Sequence, residues 1–160
     1  MPNYTLLAIP AMWLTALAPH VYAIGYMKKN NNGRFDNANS KGHAWNAKLQ
    51  STVPADVLAR YERALAAHRN GLENLPLFAA GVLAATWAGV DVSWSVWTYV
   101  GLRVVYNFIY INVSTLKKSY TRTAIWSTST IVLRSLPLSC ERSSATKLFV
   151  SESMDLELEA

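Results

Sequence analysis

The chain is poor in cysteine, in acidic side chains and, over its first 27 residues, in charge of either sign. Cys140 is the one cysteine among 160 residues, which excludes an internal disulfide and a multi-cysteine metal site. No metal ligand set is expected. Only 16% of residues are charged against 51% apolar, and Met1 to Met27 carries no charged side chain. A run of that length spans about 30 Å of hydrocarbon. It lacks the basic start and small-residue cleavage site of a secretory peptide, so it reads as a retained helix.

What the chain does have is clustered. Apolar residues gather in four blocks, Tyr4–Met27, Val57–Val90, Val92–Leu116 and Ala124–Leu138. The polar segments between them keep the mean hydropathy at only +0.10. The expected fold is all-α, an integral membrane four-helix bundle with helices over about 4–27, 54–88, 92–116 and 121–138. These make one domain, 1–140. The fourth helix is short, since Arg134 interrupts it and Pro137 ends it. Residues 141–160 hold five of the ten acids (Glu141, Glu152, Asp155, Glu157, Glu159) and only two bases, which reads as a polar, disordered tail.

The net charge of +5 is explained by where the bases fall. Lys28, Lys29, Arg34, Lys41 and Lys48 occupy the first connection, and Lys117, Lys118 and Arg122 the third. The second, Ala88 to Val92, holds only Asp91. Alternating positive and neutral loops put the first and third on the cytosolic side and both termini on the other. No nucleic-acid partner is needed. Asn3-Tyr-Thr and Asn112-Val-Ser match the glycosylation pattern, but they lie against and within expected spans and should stay unmodified.

The connection from Lys28 to Ser51, with Asn30-Asn31-Asn32-Gly33, reads as a mobile connector. Ser51 or Thr52 is then the expected N-cap of a helix whose first position is Pro54. From Pro54 to Ala88 the pattern stays helical for about 52 Å, so its first third projects into the cytosol. Pro76 predicts a kink, and Gly89 to Asp91 a tight turn.

That turn makes an antiparallel hairpin. Counting equally from Val90 sets Glu73 level with Asn107 and Asn70 level with Tyr110. Ala66, Asn70 and Glu73 share one face of the second helix; Arg103, Tyr106 and Tyr110 share one face of the third. Two facing polar stripes make a pocket for a charged ligand, and Arg122 at the start of the fourth helix closes it. Spacing alone serves equally well for polar residues that simply join helices. Arg69 and Glu73, four apart, are also placed to pair with each other. His68 reads as facing solvent or headgroups.

The segment Glu62-Arg-Ala-Leu-Ala-Ala-His-Arg-Asn-Gly-Leu-Glu-Asn-Leu-Pro resembles the signature of the MAPEG superfamily, the membrane-associated proteins of eicosanoid and glutathione metabolism. The Arg103…Tyr106…Tyr110 stripe and Lys118-Ser-Tyr-Thr-Arg-Thr are similar to the family as well, and the likeness covers about residues 4–135. It implies a homotrimer in the endoplasmic-reticulum membrane, with glutathione as co-substrate bound between subunits near the cytosolic side. The implied glutathione contacts are Arg69, Asn70, Glu73, Arg103, Tyr106 and Tyr110. The implied catalytic residues are Arg122, which stabilises the thiolate, and Tyr110.

The resemblance thus implies a glutathione transferase or peroxidase of the microsomal type, acting on lipophilic electrophiles. Two departures bear on catalysis. Several family members carry an arginine where this chain has Ala66, and the fourth helix is shorter than the family's. A non-catalytic assembly protein of the same fold is the alternative. A small transporter subunit is a weaker third reading, because the polar groups cluster at one depth instead of crossing the bilayer.

Overall fold

A computed structural model describes residues 4–114, 120 and 123–132. A 3-10 turn, Tyr4–Leu7, leads into α1 (Ala8–Asn30); α2 (His43–Thr52), α3 (Ala55–Trp87) and α4 (Ser93–Asn112) follow. Residues 123–132 are helical too, and there is no strand among the described residues. Within them Tyr4–Asn30 is the one helix long and apolar enough, by length and composition, to cross a membrane.

α1 lies along α3, and α4 closes on both. Two apolar clusters hold the three together. The first joins Met12, Phe78, Val82, Val96 and Tyr99, with the Phe78 and Tyr99 rings stacked at 4.8 Å. The second joins Met27, Leu49, Val57, Tyr61 and Ile111. Between the two clusters α1 and α3 come together backbone to backbone. A Cβ added at Gly71 would stand 2.7 Å from Ala16 Cβ and 2.9 Å from Ala16 Cα. Small residues permit such an approach between membrane helices.

The α3–α4 hairpin turns on a glycine. Gly89 takes φ +69°, a left-handed conformation open to glycine without steric cost. Gly89 N–H then bonds Thr86 O at 3.1 Å and Val90 N–H bonds Ala85 O at 3.0 Å. That is the Schellman pattern, which occupies carbonyls the helix end would leave orphaned. Asp91 Oδ1 accepts the Ser93 N–H at 2.9 Å and so starts α4.

Several sequence expectations need correction. The connector after Lys28 contains a helix, α2, because Trp45 and Leu49 are buried one turn apart against the second cluster. Ser51 and Thr52 end that helix, back-bonding Lys48 O at 2.9 and 2.8 Å, and cap nothing. Val53 is extended, as a residue before proline prefers, and Pro54 itself is the N-cap of α3. α4 stops at Asn112 and not at 116: Val113 turns extended, and Asn112 Nδ2 bonds back to Phe108 O at 2.7 Å. The expectation at Pro76 concerned the line of the helix and not its extent, and α3 runs on through it. The expected span 121–138 lies only partly within the described residues, and the tail 141–160 lies outside them.

Candidate functional site

The polar layer between the two apolar clusters forms the candidate site. Asn70, on α3, donates from Nδ2 to the Tyr106 hydroxyl on α4 at 3.0 Å. The Tyr106 and Tyr110 rings lie 5.5 Å apart, tilted by 56°. With Thr123 and Trp126 these three residues line a cavity of about 290 Å³. Behind Tyr106 sits Arg103, only 1% exposed, its guanidinium carbon 4.7 Å from the ring centre. None of its three nitrogens has a hydrogen-bond partner among the described residues. An unpaired buried cation is costly, and the tyrosine face offsets part of that cost.

A second, larger cavity of about 790 Å³ adjoins the first, with Tyr110 in the wall of both. Lys41, Arg63 and Arg69 make its lining basic, against the single acid Glu62. Arg63 Nε donates to Ile111 O at 3.1 Å, which fixes its stem between α3 and the end of α4. The fields of three cations around one hollow favour an anionic ligand. Groups that could hold a metal are absent among the described residues.

A model of the MAPEG family matches residues 4–140. The chain belongs to the MAPEG family. No curated protein and no solved structure matches it. MAPEG membership and the apolar Tyr4–Asn30 helix together make it a membrane protein.

In this MAPEG chain Asn70, Tyr106 and Tyr110 come together, and Arg69 lies in the wall of the adjoining basic cavity. The equal count from the hairpin pairs Asn70 with Tyr110, whereas its hydrogen bond goes to Tyr106, one turn away. Packed helices cross at an angle, so depth does not follow residue number alone. Glu73 is exposed on α3, and Asn107 donates to Thr15 O at 2.8 Å. Arg103 is buried behind the cavity wall. Arg122 lies outside the described residues.

His68 is half-buried, in the wall of the larger cavity and bonded to α1. Its Nδ1 bonds Ala16 O at 2.8 Å, and its ring lies 4.8 Å from that of His20. A carbonyl only accepts, so Nδ1 carries the proton. The sequence offered one overlooked signal, for the neighbouring contact of Asn107 with Thr15 O. Pro19 stands inside α1, where a proline deprives the carbonyl four residues earlier of its donor.

Proposed function

We propose that the protein is a membrane-bound glutathione-dependent transferase or peroxidase acting on lipophilic electrophiles. The observation that carries this reading is a cavity walled by Asn70, Tyr106 and Tyr110, opening beside a basic one, in a MAPEG chain. Glutathione has two carboxylates and an ammonium. Arginines suit the carboxylates by paired hydrogen bonds, and Arg69 and Arg63 supply them. The exposed Glu73 suits the ammonium, and an outward-facing acid fits a site shared between subunits of a homotrimer. Arg103 backs Tyr106 and steadies its ring.

The chemistry follows from the thiol. A thiol of pKa about 8.5 is mostly protonated at neutral pH, and a guanidinium beside it stabilises the thiolate. Arg122 is the proposed guanidinium and Tyr110 the hydroxyl beside it. The thiol proton leaves to solvent, the thiolate attacks the electrophilic carbon, and a carbon–sulfur bond forms as the leaving group departs or the ring opens. The lipophilic co-substrate arrives through the bilayer, which concentrates it next to the helices. An endoplasmic-reticulum membrane with both termini on the non-cytosolic side suits this arrangement.

The test is the ultraviolet absorbance of the thiolate when glutathione is added at neutral pH. Wild type should develop it, and Arg122→Ala should lose it while keeping most of its affinity, because the interaction strengthens as the thiolate forms. Turnover of a model electrophile should fall in parallel. Absorbance and turnover unchanged in Arg122→Ala would remove that residue from catalysis. The second reading, a non-catalytic member of the fold, draws on Ala66, where several relatives have arginine, and on polar side chains that bond helix to helix at Thr15 and Ala16.

A further inference from the structure

α1 contributes none of the proposed glutathione contacts, yet the two helices that do are bonded to it at neighbouring carbonyls. Pro19 has no N–H, so Thr15 O lacks the donor that an α-helix would give it. Asn107, on α4, fills that vacancy from Nδ2 at 2.8 Å. The next carbonyl, Ala16 O, accepts the Nδ1–H of His68 on α3, also at 2.8 Å. A partner on a neighbouring helix is how a membrane protein satisfies a carbonyl freed by proline, here Thr15 O; Ala16 O is not freed and takes His68 as an additional partner. Gly71, three residues after His68, holds the backbones of α1 and α3 in contact at the same Ala16.

These anchors bracket the site in sequence. Asn70 lies two residues after His68 and one before Gly71; Tyr106 immediately precedes Asn107. We infer that the Pro19 turn of α1 is a template, and that His68 and Asn107 are positioning residues that hold Asn70 and Tyr106 in register. A slip of one residue along either helix moves a side chain about 1.5 Å. That is enough to lose a 3.0 Å hydrogen bond between Asn70 and Tyr106. Asn107 is 8% exposed and its Oδ1 has no partner among the described residues, so its amide is held inside the bundle with Thr15 O as its hydrogen-bond acceptor. The inference rests on the glutathione reading for its consequence, though not for the clamp itself.

The experiment is a double-mutant cycle in the full-length, detergent-solubilised protein. Pro19→Ala returns the missing N–H to Thr15 O and makes the Asn107 donor redundant. Asn107→Leu should weaken glutathione binding about tenfold in wild type and far less in Pro19→Ala, with the unfolding midpoint showing the same coupling. His68→Leu should weaken binding similarly. His68→Asn should recover it, since its amide nitrogen stands where Nδ1 does. Equal effects of Asn107→Leu in both backgrounds would overturn the clamp. Coupled midpoints with unchanged affinity would reduce it to structure alone and overturn the positioning role. No binding by wild type would defeat the glutathione reading, while the midpoint cycle would still decide the clamp.

Discussion

Arg103 shows how far a single side chain can depart from what stability favours. Its guanidinium is 1% exposed and has no hydrogen-bond partner among the described residues, an arrangement that costs stability. Replacing it by a chain of similar length without charge should relieve that cost. Arg103→Met should therefore raise the unfolding midpoint, by about 1 kcal/mol or more in stability, while lowering glutathione turnover. A lowered midpoint would mean that the cation has a partner in the assembled protein. Glu73 presents the opposite case, an exposed acid in a stretch of α3 where the chain turns apolar. Glu73→Gln should weaken glutathione ten- to a hundred-fold by calorimetry, the worth of about 1.5–3 kcal/mol for a charge-assisted hydrogen bond. Equal affinity would place Glu73 outside the site.

At the level of elements, the sequence carried the long helices and the hairpin but not α2 or the inter-helix anchors. α1, α3 and α4 are each long and rich in apolar residues, and Gly89 marked the turn between the last two. α2 was hidden because its ten residues bury only Trp45 and Leu49, too few to raise a period above the surrounding Asn, Gly and Lys. Asn70 and Tyr106 were legible as members of two stripes. The bond of His68 to Ala16 O was not, since it ends on a backbone carbonyl that no side-chain pattern reveals, and for Asn107 only Pro19 marked Thr15 O as lacking its donor. The Ala16–Gly71 approach makes a direct element-level prediction. Gly71→Val should push α1 from α3 and lower stability by about 1–3 kcal/mol, read as a lower unfolding midpoint; an unchanged midpoint would contradict the close packing. The α4 start offers a pH test. Hydrogen bonds from the Ser93 side chain, then from its N–H, hold the Asp91 carboxyl below its ordinary value. A depressed folded value means the contribution is present at neutral pH and lost as pH falls through and below the ordinary carboxylate range, about pH 4. Asp91→Asn should abolish that acid dependence of hydrogen exchange at the α4 start.

Over the whole molecule, a MAPEG chain of this charge pattern should sit in the membrane with its basic connections in the cytosol. Cysteine-accessibility labelling at Ser40 should report the cytosolic side and at Asp91 the other; labelling of both from one side would contradict the hairpin. The candidate site gathers between two apolar clusters, so its geometry depends on three helices at once; depth counted along one hairpin brought Asn70 to the level of Tyr110, which shares its cavity, but did not show that its hydrogen bond goes to Tyr106. Everything proposed about function passes through one event, the binding of glutathione beside Asn70, Tyr106 and Tyr110. Calorimetric titration of the purified, detergent-solubilised protein with glutathione tests it most directly. The account predicts a saturable heat that is weakened by Asn70→Ala; no heat of binding with the folded wild-type protein would contradict it.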